Sequence, residues 1–201
     1  MKKLILLILT ISLSYYSIAQ ESEKLNEIGF TTLNLSNFGI TYRIGNNKSV
    51  WRFNAIIING GSSKSNEDNL DKSQNRFGAG FQVGKEHRKT ISDKFELRYG
   101  LDLAFSYYKN NYIRVDQLNL NRDSKKKYLY YDPSINLVLG FNFVFTDKFL
   151  LGAEFLPYFS YSTRINKEYD FTTDEYKITK TQGASYGLSS ESIRLSLIYR
   201  F

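Results

Sequence analysis

The stretch FELRYGLDLAFSY, residues 95–107, sets a large apolar side chain at every second position. This alternation predicts a β-strand, because successive side chains of a strand point to opposite faces. The odd positions are aromatic or aliphatic throughout, whereas the even positions carry Glu96, Arg98 and Asp102. The stretch is longer than the roughly 10 residues with which a tilted strand crosses a membrane.

The same two-faced pattern recurs along the chain and predicts eight strands. Short polar connections alternate with long ones rich in Asn, Asp, Ser and Lys, which is typical of an up-and-down arrangement. In the first strand the apolar residues change face between Phe30 and Leu33, which predicts either a β-bulge or a different strand boundary. The predicted strands are 27–35, 37–45, 50–60, 76–88, 95–108, 130–145, 149–163 and 185–201. The predicted short connections are 45–49, 89–94 and 146–148, and the predicted long loops are 61–75, 109–127 and 164–183.

A soluble barrel or sandwich would turn its apolar faces inward. The strand lengths favour the opposite orientation, and so do aromatic residues at both ends of the apolar faces, which match the girdles of a membrane barrel. These residues are Trp51, Phe53, Phe95, Phe145, Phe149, Tyr199 and Phe201 at one edge and Tyr107, Phe159 and Tyr161 at the other. The predicted fold class is all-β, an eight-stranded antiparallel up-and-down transmembrane β-barrel whose charged faces line the lumen.

Residues 1–19 are predicted to be a cleaved signal peptide. Lys2 and Lys3 precede the apolar run 4–13, and the small residues Ser17 and Ala19 fit a cleavage site. The run is too short for a membrane-spanning helix, which needs about 20 apolar residues. The barrel domain would then cover 20–201 and reside in the cell outer membrane. Loss of Lys2 and Lys3 would lower the formal net charge from +7 to 7 − 2 = +5. For an exported chain, this basic balance favours anionic lipid or glycan surfaces as partners and not nucleic acid.

Composition excludes several classes of protein. The 201 residues match one domain, and an aromatic share of 16% is too high for a disordered chain. The chain has no Cys and a single His, so disulfides, thiolate metal sites and Cys nucleophiles are excluded. That histidine, His87, lies near a short turn and far from the outer leaflet, so we expect no enzyme, cofactor or metal site.

The pattern resembles the small eight-stranded outer-membrane β-barrels of Gram-negative bacteria, the group that includes OmpX and the membrane domain of OmpA. The resemblance is architectural and covers nearly all of the mature chain. Its most specific element is the last strand, with alternating apolar residues and a terminal aromatic: Ile193, Leu195, Leu197, Tyr199 and Phe201. The resemblance implies that the outer-membrane insertion machinery reads this strand, and it implies no catalytic or ligand-binding residue.

The lumen of an eight-stranded barrel is only wide enough for side chains to fill it. Buried charges must pair, so we predict an interlocked ion-pair network in which Glu154 pairs with Arg194. The alternative is a narrow, low-conductance porin-like channel for ions or small solutes. The predicted members are Arg43, Arg52, Arg76, Glu86, Glu96, Arg98, Asp102, Glu154, Arg194 and Arg200.

The long loops remain as the surface on which a function could lie. Residues 112–120 and 176–181 are β-formers, and strands that extend past the membrane would present edges able to pair with another protein. The sequence therefore predicts a structural or surface-interaction, adhesin-like role, with lipopolysaccharide, a glycan or an extracellular protein as partner. The candidate surface-binding residues are Lys109, Tyr112, Arg114, Arg122, Lys125, Lys126 and Lys127.

Overall fold

The computed structural model describes residues 24–34, 37–67, 70–116, 123–171, 175–189 and 192–201. These residues form ten strands of one antiparallel sheet. The strands are β1 (Leu25–Asn34), β2 (Asn37–Gly45), β3 (Ser49–Glu67), β4 (Leu70–Ser92), β5 (Phe95–Asp116), β6 (Ser124–Val144), β7 (Phe149–Phe155), β8 (Tyr158–Asp170), β9 (Glu175–Gly187) and β10 (Ile193–Arg200). Within these ranges, no helix is long and apolar enough to cross a membrane. The predicted signal peptide, 1–19, lies outside the described residues.

Eight of these strands close into a ring. β1 to β7 pair in chain order, β7 pairs with β10, and β10 returns to β1, where Arg200 lies opposite Glu27. Each strand of the ring therefore has a partner on both sides, which removes the open edges that a flat sheet would leave.

The predicted strands 149–163 and 185–201 are each divided in two. The first is interrupted at Leu156 and Pro157, because proline has no N–H to donate to a neighbouring strand. The second is interrupted after Gly187, which has a φ of 131° in the left-handed region that favours glycine. Phe155 pairs with Ile193 below the interruption and Tyr158 pairs with Gly187 above it. Two sequence positions therefore separate β7 from β8, whereas five separate β9 from β10.

The predicted long loops 61–75, 109–127 and 164–183 are wrong over most of their length, because strands continue through them. The β1–β2 hairpin ends at Asn34 and Asn37, whereas β3 runs on to Glu67. Beyond the hairpin, β3, β4, β5, β6, β8 and β9 form a six-stranded sheet, which we call the extension. Pairing with neighbouring strands outweighs the weak β-propensity of Asn, Ser and Lys in these segments.

The short connections lie at the opposite end of the sheet. Residues 46–48 and 145–148 link their strands near the predicted positions, and β4 continues to Ser92, so that only Asp93 and Lys94 remain between β4 and β5. The predicted bulge of the first hairpin is confirmed by a register shift between Thr32 and Asn34.

Large apolar side chains cover the outside of the ring, and charged side chains fill its inside. Phe81, Leu103 and Leu195 are 51%, 62% and 55% exposed, whereas Arg43 and Arg52 are fully buried. Aromatic pairs lie towards both ends of the apolar band, with ring centroids 5.2 Å apart for Phe149–Tyr199 and 5.4 Å apart for Tyr107–Tyr131. The outside of this ring is therefore suited to hydrocarbon and not to water.

Candidate functional site

Strand alternation directs eleven charged side chains of the described residues into the ring, and we call this cluster the plug. It combines six arginines with five carboxylates, and nearly all of them are buried. The members are Glu27, Arg43, Arg52, Glu86, Arg88, Glu96, Arg98, Asp102, Glu154, Arg194 and Arg200. Because almost every charge has an opposite charge beside it, the desolvation cost of each is offset by its neighbours.

Glu154 on β7 is the centre of the plug. Its carboxylate accepts hydrogen bonds from Nη2 of Arg43 at 2.9 Å, Nη2 of Arg52 at 2.7 Å and Nη1 of Arg98 at 2.9 Å. These arginines lie on β2, β3 and β5, so one carboxylate links four strands across the lumen. A solute would have to displace these bonds to pass this level.

Two further carboxylates extend the plug towards the short turns. Glu86 accepts hydrogen bonds from Arg52 at 2.9 Å and from Arg88 at 2.8 Å. Glu27 accepts two from Arg88, both at 2.7 Å, and one from Arg200 at 3.0 Å. Arg200 also donates to Glu96 at 2.9 Å, so the bonded network continues to the end of the ring.

Nine of the ten residues predicted for the lumen network lie in the plug, and Arg76 does not. Arg76 lies on the inner face of β4, as alternation predicts. It is nevertheless exposed, because this part of β4 belongs to the extension and not to the ring. Glu27 and Arg88 were not predicted. Arg88 follows Glu86 by two positions, so alternation places both side chains on the inner face. It was missed because the predicted strand ended at residue 88. Glu27 precedes the change of face in the first strand.

The predicted pair of Glu154 and Arg194 lies directly opposite in register, with 3.9 Å between Oε2 and Nη1. The shorter contacts of Glu154 go to other arginines, and Nη2 of Arg194 donates instead to Oε1 of Gln82 at 3.0 Å. Arg194 is 1% exposed and marks the upper boundary of the plug.

Two glycines make room for the plug. A Cβ on Gly152 would clash with Oγ of Ser196 and would lie 3.1 Å from Nη2 of Arg98. A Cβ on Gly84 would clash with the Asp102 carboxylate and with the backbone of the adjacent strand. Small residues at these positions are therefore what allows long charged side chains to fill a narrow ring.

On the side of the plug that faces the extension, the interior holds two adjoining chambers. The lower chamber has a volume of about 300 Å³. It lies at the interruptions between β7 and β8 and between β9 and β10. The upper chamber, of about 550 Å³, lies against the inner face of the extension and shares Ser106, Tyr130 and Asp132 with the lower one.

The predicted surface-binding residues do not form one loop surface. They lie on paired strands β5 and β6, and alternation places Lys109, Lys125 and Lys127 on the outer face. Tyr112, Arg114 and Lys126 take the inner face, and Arg122 lies outside the described residues. The carboxylate of Glu168, 2.6 Å from Nζ of Lys126, raises the pKa of that amine.

The residues of the predicted insertion signal lie on the outer face at the end of the ring. Ile193, Leu195, Leu197, Tyr199 and Phe201 are all exposed, and the backbone N–H of Phe201 donates to Asn26 at 2.9 Å. His87 also faces outward near a short turn, where its ring stacks on Tyr99 at 5.6 Å.

This architecture, with a closed strand ring that is apolar outside and charged inside, is of the outer-membrane β-barrel kind. It is similar to a major outer membrane protein from Thermus thermophilus, with a TM-score of 0.53 and 10% identity over 89% of this chain and all of that one. CarO of Acinetobacter baumannii also matches, with a TM-score of 0.31 and 12% identity over 90% of this chain and 97% of that chain. No family model and no curated protein matches the sequence. At this identity the Thermus likeness shows the fold alone.

Proposed function

We propose that the chain is an integral outer-membrane protein: a small eight-stranded up-and-down barrel of the OmpX and OmpA membrane-domain type, closed by its plug, with a surface-interaction role. The exposed apolar band and the fold shared with an outer-membrane protein support the membrane location. By the rule that outer-membrane barrels have short periplasmic turns, the extension projects outside the cell.

The observation that carries the interaction role is a pair of free strand edges. Among the described residues, β9 pairs with β8 alone, and β3 from Asn59 to Glu67 pairs with β4 alone. Unpaired N–H and C=O groups along such edges accept an added strand. Lys177 and Lys180 on β9 give the longer edge a basic character, so the partner would be an extended, non-basic segment of another protein.

Surface labelling tests the orientation. The chain has no Cys, so Lys177→Cys in the extension and Asp147→Cys in a short turn each introduce one thiol. A membrane-impermeant maleimide should label the Lys177 position on intact cells and the Asp147 position only after permeabilisation. Labelling of the Asp147 position on intact cells would overturn the orientation.

Strand addition is tested with a labelled peptide of residues 158–170, the sequence that pairs with β9 in the structure. Fluorescence anisotropy should show binding to the folded protein. A deletion of residues 164–181, which shortens the β8–β9 hairpin down to the Thr163–Gln182 pair, should weaken binding at least tenfold. A peptide with prolines at alternate positions is the control, because it cannot donate backbone hydrogen bonds. Equal binding of both peptides would refute edge pairing.

A second candidate function is a low-conductance channel, and Asp102 favours it. Among the described residues, no group donates a hydrogen bond to its buried carboxylate, although Nε of Arg52 lies 3.3 Å away. Such a group is suited to hydration. A closed plug predicts no conductance from the folded protein in a planar bilayer. Steady openings that change with Asp102→Ala would favour the channel.

A further inference from the structure

The lower chamber results from two local departures from regular strand structure. The interruption at Pro157 lies beside the end of β9 at Gly187 and the start of β10 at Ile193. Backbone hydrogen bonds fix both, with Leu156 donating to Ser192 at 2.7 Å and Leu137 donating to Pro157 at 2.9 Å. A defined cavity held by irregular but bonded backbone is where a binding site is expected.

The lining of the lower chamber is rich in groups that both donate and accept hydrogen bonds. It contains six serine hydroxyls and two tyrosines together with Asn136 and Gln82. A serine hydroxyl offers one donor and two acceptor sites, which matches a ligand built of hydroxyl groups. The serines are Ser106, Ser134, Ser160, Ser185, Ser189 and Ser192, and the tyrosines are Tyr130 and Tyr158.

Half-buried Asp132 and buried Arg194 each carry buried atoms in the lower chamber with hydrogen-bonding capacity left. Within the part of the chain that the structure describes, Oδ1 of Asp132 accepts no hydrogen bond, and Nε and Nη1 of Arg194 donate none. Buried polar atoms of this kind are normally satisfied, so a ligand or ordered water is expected to reach them. In the lower chamber, one carboxylate and one guanidinium leave no excess charge, so that chamber favours neither an anion nor a cation.

The upper chamber continues the site along aromatic rings. Tyr108, Tyr128 and Tyr130 line it, and the guanidinium of Arg164 lies over the Tyr130 ring at 5.7 Å. Tyrosine combines a flat apolar face with a polar tip, so a row of them suits the alternating C–H and O–H surfaces of sugar rings. A monosaccharide would fill only part of this path.

We propose that the two chambers form one binding site for a neutral oligosaccharide. Its terminal unit occupies the lower chamber, where Asp132 accepts from and Arg194 donates to its hydroxyls. The following units lie against the tyrosines of the upper chamber. The proposal rests on the proposed function in one respect, namely that the extension faces the outside of the cell.

The test uses the refolded chain in a detergent that has no sugar headgroup, on an array of neutral and acidic glycans. Binding should concentrate on neutral oligosaccharides, and free monosaccharides should compete at least tenfold more weakly than chains. Preference for acidic glycans, or no binding by protein shown to be folded by heat-modifiable gel migration, would overturn the proposal. Equal competition by monosaccharides would overturn the part assigned to the upper chamber.

Matched variants locate the site. Asp132→Asn and Tyr130→Ala should each weaken binding at least tenfold, whereas Asp147→Asn in a short turn and Tyr161→Ala on the outer face should leave it unchanged. Ala104→Leu, which fills the lower chamber, should abolish binding, with Ala55→Leu on the exposed outer face as its control. Binding unchanged by Asp132→Asn and Ala104→Leu would refute the site. Maleimide labelling reports orientation independently, so failure of one proposal is distinguishable from failure of the other.

Discussion

The plug and the extension are built from the same strands, yet charge behaves differently in each. β3, β4, β5 and β6 run through both regions with unbroken alternation along most of their length. Inside the ring, Arg52 and Glu86 are fully buried and 2.9 Å apart. In the extension, Lys126 and Glu168 are similarly close at 2.6 Å, but 33% and 42% of their side-chain surface remains exposed. The pairs are thus similarly close, and ring closure is what withdraws the first from water.

The largest effect is expected for Glu154→Ala in the plug. Removing this carboxylate takes one hydrogen-bond acceptor from each of three buried arginines and leaves six arginines against four carboxylates in the plug, which should cost about 3–5 kcal/mol or block folding. Urea titration in vesicles, followed by the fluorescence of the single tryptophan, Trp51, measures the loss. Glu175→Ala on exposed β9 is the matched control and should change stability little. A small loss for Glu154→Ala would mean that water already shares the plug.

The next largest loss of stability is expected for an arginine placed on the outer face of the ring and not of the extension. Phe141→Arg places a charge on the apolar band of the ring and should cost about 2–4 kcal/mol. Ile178→Arg makes the same kind of change on β9, in the extension, where Ile178 is already 59% exposed. That variant should unfold at the wild-type urea concentration. Equal losses for both would place the extension inside the bilayer as well.

Glycine substitutions compare the packing inside the two regions. Gly84→Ala should cost about 1–3 kcal/mol, because its Cβ meets the backbone of the neighbouring strand, which cannot move freely. Gly61→Ala lies in the extension with no atom within 4 Å of its Cβ, so it should be neutral or slightly stabilising. The same urea titration measures both, and a neutral Gly84→Ala would show that the ring relaxes around the plug.

Alternation made the closed ring predictable. Because the period of a strand is two, positions such as Arg98, Asp102 and Arg194 could be assigned to the inside before any pairing was known. Alternation of side chains does not show at which residue the strands leave the closed ring. Arg76 was therefore placed inside with the others, although it lies beyond the short β1–β2 hairpin and is exposed.

The extension and the chambers were harder to predict for a different reason. Their strands are held by pairing with neighbours distant in sequence, so the Asn, Ser and Lys composition indicated loops. The chain has two prolines, and both mark interruptions of strand pairing. Pro157 separates β7 from β8, and Pro133 lies in a gap of the β6–β8 pairing between Tyr131 and Ser134. Proline was thus a local signal for the irregular backbone beside the lower chamber.

The smallest expected effect is the coupling energy of an ion pair in the extension, and its salt dependence distinguishes the extension from the plug. A double-mutant cycle on Lys126 and Glu168 should give a coupling of about 0–1 kcal/mol, because water screens an exposed pair. It should fall further at about 1 M salt, where the Debye length is about 3 Å. The same cycle on Arg52 and Glu154, 2.7 Å apart and buried, should give a larger coupling that salt barely changes. If both couplings respond equally to salt, ions reach the plug, and the closed lumen would have to give way to a conducting one.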